Sequence, residues 1–385
     1  MDKFINFCAG ADISSLPGSP INALLINAFS NFKTDGEKER VEQLIDTAQP
    51  EWLILDSGGY QLKDAEEEIE KGNEITILMD KNKPMQPHKG IINLTPEHVV
   101  EAAVHVKPQI MIALDFPVKD LKDSPEERER EFRAKLGFNA LWAIESSKLV
   151  EAAQSRGDLN DVKLLLPIQC YTLEQFNRYW HFIHSEGDIQ FDGFSMPLRN
   201  LSLRETALFL IAFHKKSKKR MVHFLGEGNF SSIAFAAYLS KLDLFDWVSV
   251  DATSWREFAE VEQYMDHRDL SLIDVSEHLS EDAFIGASME NTCGCFWCRG
   301  KPFDYIKNMP RQPEKTTFLG HHNYWVTENF GKEIAENDAI KTPWDLKKYL
   351  HQRSDRTDDI ETIYNALDFL EAHLDEDISY LEKMM

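Results

Sequence analysis

The sequence predicts an α/β protein built as a (β/α)8 TIM barrel, with a zinc-binding subdomain and C-terminal helices. Three observations lead there. Short apolar runs recur, each closing on a polar residue: Ala23-Leu-Leu-Ile-Asn27, Trp52-Leu-Ile-Leu-Asp56, Ile110-Met-Ile-Ala-Leu-Asp115 and Val162-Lys-Leu-Leu-Leu-Pro-Ile-Gln169. Further on come Phe191-Asp-Gly-Phe-Ser195, Met221-Val-His-Phe-Leu-Gly226 and Trp247-Val-Ser-Val-Asp251. Near-continuous apolar strands suit a parallel sheet covered on both faces. Helical segments separate the runs, and the alternation lasts about 250 residues, the span of one such barrel. A doubly wound open sheet is the alternative topology. In a barrel the C-terminal strand ends meet at one mouth, which would gather Asp56, Asp115, Gln169 and Asp251 in a single pocket.

Element by element, Thr95-Pro96-Glu97 reads as an N-cap, a first-turn proline and a first-turn acid opening a helix over 98–106. The alanine-rich stretch Ser231–Leu242 predicts another helix. Near the C-terminus, Ile360, Ile363, Tyr364, Leu367, Leu370 and Leu374 follow helical spacing, as a packing helix or a subunit contact would. The acidic run Asp64-Ala-Glu-Glu-Glu-Ile-Glu-Lys71 reads as a solvated helix face, and the basic run His214-Lys-Lys-Ser-Lys-Lys-Arg220 as a solvated helix end. These elements divide the chain into a barrel over 1–285, a zinc-binding subdomain over 286–330 and a helical segment over 331–385.

At 385 residues, 43% hydrophobic and 11% aromatic, the chain can bury a large core. No apolar run is long enough to span a bilayer, and the first residues lack the pattern of a secretory signal. Five cysteines, three of them clustered, suit a reducing compartment, so the expectation is a cytoplasmic protein without a membrane partner. A net charge of −23 argues against broad adhesion to a polyanion but permits a nucleic acid held in a local groove.

The run Asn291-Thr-Cys-Gly-Cys-Phe-Trp-Cys298 is followed by His321-His322-Asn323. Cys293, Cys295 and Cys298 with one imidazole suit a soft tetrahedral ion, with Zn2+ the default. His322 is the favoured ligand and His321 the alternative. A Cys3His set leaves no open position for water or substrate, so the zinc would be structural.

Asp56-Ser57-Gly58-Gly59-Tyr60-Gln61 stands directly after an apolar strand. Paired glycines admit a close backbone approach, and the tyrosine offers a flat face. By this segment and the cysteine run together, over roughly residues 20 to 330, the chain resembles the tRNA-guanine transglycosylase superfamily. The resemblance implies a zinc-stapled barrel that exchanges guanine in a polynucleotide for a 7-deazaguanine such as preQ0, through a covalent aspartyl-ribose intermediate. It implies that Asp56 is the general acid/base and that Tyr60 stacks on the base. Asp115 and Gln169 would read the base edge, with Ser57, Gly58, Gly59, Gln61, Ser195, Leu225 and Gly226 completing the base-binding wall. Leu225-Gly226-Glu227-Gly228 is similar to the family's glycine segment.

For the nucleophile two aspartates compete. Asp246 fits the family's spacing from the glycine segment. Asp251 stands at a strand's C-terminal end, and Asp-Ala-Thr-Ser-Trp is similar to archaeal relatives, so Asp251 is preferred. The chain also departs from the pattern. Phe194-Ser-Met-Pro-Leu198 replaces a Gly-Gly-Leu stretch, the portion before Asp56 is short, and little chain remains after the zinc site for further RNA-binding domains. These differences favour the branch that modifies DNA, with tRNA as the alternative substrate. A catalytically silent zinc-barrel partner subunit is the alternative from another class, and a homodimer or a partner protein is left open.

Overall fold

The computed structural model describes residues 3–11, 21–120, 124–186, 188–198, 201–217, 219–226, 228–276, 293–299, 301, 305–306, 309, 314–377 and 380. Eight strands close into a barrel: β1 (Phe4–Cys8), β2 (Ala23–Asn27), β3 (Trp52–Asp56), β6 (Ile110–Ile112), β7 (Lys163–Pro167), β8 (Gly193–Pro197), β9 (Met221–Leu225) and β10 (Trp247–Ala252). Every neighbouring pair is parallel, and β1 joins β10 to β2. The barrel is thus the predicted one and the open sheet is excluded. Two small sheets are added: β4 (Thr76–Leu78) with β5 (Ile91–Asn93), and β11 (Gln263–Met265) with β12 (Leu272–Asp274).

Alternation along each strand sets what faces the centre. Phe7, Ile54, Ile112, Leu165 and Trp247 belong to an inner core, while a larger outer core lies under the helices. Counting on in steps of two places Asp56 on the inward face of β3, and Ser249 and Asp251 on that of β10.

The alanine-rich helix spans Phe230–Leu239, beginning earlier than the sequence suggests, because the Asn229 side chain accepts a hydrogen bond from the Ser232 amide and caps it. Thr95 precedes the helix Pro96–Val106 as predicted, but its hydroxyl lies 3.3 Å from His98 Nδ1 and makes no side-chain cap. Among the acidic run on helix Gly59–Glu70, Glu66 departs from a solvated role: Oε2 is 2.8 Å from Nζ of the buried Lys135. The basic run closes the helix Leu203–Ser217, where Lys215 donates to the Glu376 carbonyl; Lys218 lies outside the described residues.

A long helix, Glu314–Glu336, packs on β1 and on the helices Phe230–Leu239 and Ser254–Glu260. It runs without a break across the 330/331 boundary, while the 285/286 boundary falls outside the described residues. Helix Thr357–His373 lays Ile360, Ile363, Leu367 and Leu370 against Leu203–Ser217 and Phe230–Leu239, which makes it a packing helix. No helix among the described residues is long and apolar enough to cross a membrane.

Gly331 is where the long helix meets the barrel wall. A Cβ there would lie 2.2 Å from the buried Phe4 ring on β1. Gly331→Ala is expected to destabilise the fold by about 1–3 kcal/mol, the usual cost of overpacking, read as a lower urea midpoint with an unchanged m-value.

Candidate active site and metal centre

The mouth of the barrel is a cleft of about 690 Å³ lined by Asn27, Asp56, Tyr60, Gln61, Asp115, Gln169, Leu225, Gly226 and Asp251, among others. Four strand-end groups predicted from the sequence, Asp56, Asp115, Gln169 and Asp251, therefore share one cavity. Each is held by its own strand or the loop just after it.

Two residues of the Asp56–Gln61 turn explain its glycines. Gly58 has φ 83°, and a Cβ there would lie 2.8 Å from Phe29 Cβ. At Gly59 a Cβ would lie 2.4 Å from both the carbonyl and Oδ1 of Asp115. A side chain at Gly59 would push the two acid-bearing loops apart, and one at Gly58 would strike the short helix after β2. Ser57, Gly58 and Gly59 are themselves buried, so they shape the cleft from behind, while Tyr60 stands 41% exposed at the rim.

Asp115 is the most enclosed acid. Ser57 Oγ donates to Oδ1 at 3.0 Å and Gln169 Nε2 donates to Oδ2 at 2.6 Å. Gln169 is fixed in turn, since the Val118 amide donates to its Oε1 at 3.2 Å. Burial, then the charge of Asp56, pushes the Asp115 carboxyl up to about 7. Asp56 accepts from Asn27 Nδ2 at 2.6 Å, and burial followed by the charge of Asp251 raises it to about 6. Asp251 accepts from the Gly226 amide through Oδ1 at 3.0 Å, and His223 Nε2 lies 3.1 Å from the same oxygen.

Other predicted residues sit elsewhere. Asp246 precedes β10 at the opposite end of the strand from Asp251. It is largely exposed and pairs with Arg220 Nε at 2.9 Å, so it does not join the cleft. The family-like spacing misleads because the strand begins only after Asp246. Ser195 is fully buried and does not line the cleft. Glu227 lies outside the described residues; the neighbouring Gly228 would clash through a Cβ with Ala252 at 2.3 Å.

Three residues that matter here were not singled out from the sequence. Asn27 caps the short helix after β2 with its Oδ1, taking the Ser30 amide at 2.8 Å, which turns Nδ2 toward Asp56. Asn139 binds both backbone groups of Phe116, accepting at 2.7 Å and donating at 3.2 Å, and so holds the loop that carries Asp115. His223 lies under Asp251. Only the terminal asparagine of an apolar run hinted at the first; Asn139 sits mid-helix and His223 mid-strand, where sequence alone gives no sign.

The cysteine run is the second centre. Sγ of Cys293, Cys295 and Cys298 and a ring nitrogen of His322 lie within 4.8 Å of one another, all buried. His322 Nδ1 is 3.6, 3.5 and 3.2 Å from the three sulfurs. Donors about 3.5 Å apart are what tetrahedral bonds of about 2.0–2.3 Å require. The set can therefore hold a metal ion. His322 Nε2 donates to the Met265 carbonyl at 2.7 Å, which leaves Nδ1 free to ligate. His321 is not part of this set; its ring stacks on Trp297 at 5.0 Å. Asn323 ties the same helix down, accepting from the Met265 amide and donating to the Trp255 and Gln263 carbonyls. Residues 291 and 292 lie outside the described residues.

A family model described as queuine tRNA-ribosyltransferase (TGT) matches residues 21–354. A search of curated proteins finds no match.

Asp56 and Asp115 hold protons more tightly in the native protein than the ordinary value near 3.8. The native state therefore binds more protons between about pH 4 and 7, and stability falls as pH rises through that window. Asp115→Asn is expected to remove about 2 kcal/mol of that fall, measured by urea unfolding at pH 5 and pH 8. A pH dependence identical to the parent protein would refute the placement of the proton.

Proposed function

Because the chain belongs to the queuine tRNA-ribosyltransferase family, we propose that it is a guanine transglycosylase, a pentosyltransferase that replaces guanine in a nucleic acid with a 7-deazaguanine such as preQ0. The observation that carries this reading is the convergence of Asp56, Asp115, Gln169 and Asp251 on one cleft.

In this mechanism a carboxylate oxygen of Asp251 attacks C1′ of the target nucleotide while the bond to guanine N9 breaks. The electron pair leaves on the base, and Asp56 supplies its proton. With a carboxyl at about 6, Asp56 can both give and take a proton near neutral pH. The ribose is then held as an ester of Asp251, with the backbone uncut. The incoming base passes its N9 proton to Asp56, its nitrogen bonds to C1′, and the electron pair of the ester bond returns to Asp251. Asp115 and Gln169 meet the base edge, and Tyr60 at the rim offers the stacking face for a base turned out of its strand.

Zn2+ is the ion proposed for Cys293, Cys295, Cys298 and His322, as a structural staple. DNA is the proposed nucleic acid, on the strength of the Phe194-Ser-Met-Pro-Leu198 departure, with tRNA as the alternative the family description names.

Radiolabelled guanine offered with duplex DNA and with guanine-containing tRNA decides the substrate. Label in DNA is expected; label in tRNA alone moves the assignment to tRNA, and label in neither favours a silent partner subunit. Asp251→Asn should lower incorporation by a factor of about 1,000 or more, while Asp246→Asn stays near the parent rate. Metal analysis should give zinc near one ion per chain, and Cys298→Ser should lose both the zinc and several degrees of melting temperature. Full zinc retention in Cys298→Ser would remove it from the ligand set.

A further inference from the structure

His223 has no part in the scheme above, yet it is a fully buried histidine against the proposed nucleophile. Its Nδ1 is 2.7 Å from Ser249 Oγ and its Nε2 is 3.1 Å from Asp251 Oδ1. Trp247 stacks on the ring from the layer below at 6.4 Å, and Phe7 meets it edge-on at 5.9 Å, so the ring itself is closed off from bulk solvent. A bare Nε2 would set its lone pair against a carboxylate oxygen. Asp251 therefore selects the forms that carry a proton there, and Ser249 accommodates them by donating to Nδ1 or accepting from it.

The contact is close but not aligned, since Nε2 lacks an acceptor of good geometry among the described residues. Ser195 Oγ, on the neighbouring strand in register with His223, lacks a partner in the same way. Buried polar atoms without partners are expensive, and two together suggest that the pocket is fitted to another state of Asp251. The Gly226 amide already holds Oδ1 at 3.0 Å, so Oδ2 is the oxygen left to react.

We propose that His223 is a positioning residue that, with the Gly226 amide, fixes Asp251 Oδ1 and leaves Oδ2 as the attacking atom, its main effect falling on the second displacement. In that step the bond between C1′ and Oδ2 breaks, C1′ bonds to the incoming nitrogen, and the electron pair returns to the carboxylate. An N–H facing Oδ1 stabilises the charge as it reappears, which makes Asp251 a better leaving group. This rests on the transglycosylase reading.

The test follows the covalent adduct on denaturing gels, with a 5′-labelled guanine-containing DNA or tRNA, whichever the parent protein labels, and guanine as the acceptor base. His223→Phe should still form the adduct but lose it about ten- to hundredfold more slowly, the range for a hydrogen bond to a charged group. His223→Gln, which keeps an N–H, should recover most of the rate. Ser249→Ala should slow decay in the same direction but less. Unchanged adduct decay in both His223→Phe and Ser249→Ala overturns the proposal, as does a His223→Gln no faster than His223→Phe. Should His223→Phe fail to fold by its melting curve, His223→Gln and Ser249→Ala decide alone. A parent protein that forms no adduct and exchanges no guanine refutes the functional reading itself, a result distinct from the others.

Discussion

Crowding three carboxylates into one cleft is the constraint around which the rest of this molecule is arranged. A closed parallel barrel forces the strand ends together, so Asp56, Asp115 and Asp251 cannot be spaced out to relieve their repulsion. The protein answers with donors rather than with cations. Asn27, Ser57, Gln169 and the Gly226 amide each direct a hydrogen bond at one of these acids, and His223 adds its ring. Neutral donors leave Asp56 and Asp115 able to hold a proton at about 6 and about 7, which lysines would have prevented. The lysines pair elsewhere: Lys63, which lines the cleft, meets Glu67 at 3.2 Å. Lys135, buried, bridges Glu66 and the Pro117 carbonyl, steadying the loop after Asp115 without touching it.

The Cys3His cluster is tied to the cleft through the backbone. From Asp251 the chain runs through the helix Ser254–Glu260 into β11, and that stretch is gripped by consecutive residues of the long helix. His322 takes the Met265 carbonyl, and Asn323 takes the Met265 amide with the carbonyls of Trp255 and Gln263. Three sulfurs converging on His322 thus anchor the exit of the strand that carries Asp251. The same helix braces β1 through Gly331 and Phe4, the strand that closes the barrel.

Sequence patterning was most reliable where one physical demand dominates. Doubly covered strands must be apolar and must end at the mouth, so seven were legible, three of them with a terminal aspartate. Phe4–Cys8 was passed over because it ends on a buried cysteine rather than a polar residue, though it completes the closure. The metal set was legible because thiolate spacing is tied to one geometry. Partners brought together by the barrel were not: Asn139 reaches Phe116, and His223 reaches Asp251, across distances in sequence that no local period records. The choice between Asp246 and Asp251 turned on a strand boundary, the least certain feature of any sequence pattern.

Strand β8 bears on how a base would be read. Pro197 lines the cleft at the end of β8, and proline has no amide hydrogen to offer. The backbone therefore offers no donor at that position. On the proposed reading, more of the recognition then falls to the side chains of Asp115 and Gln169. Those two are already joined by a 2.6 Å hydrogen bond, so a base edge must be met by the pair as a unit. A protonated Asp115 offers a donor and an ionised one only acceptors, so its state decides which edge fits. Base preference in this chain is then coupled to the same proton that the crowding of carboxylates holds in place.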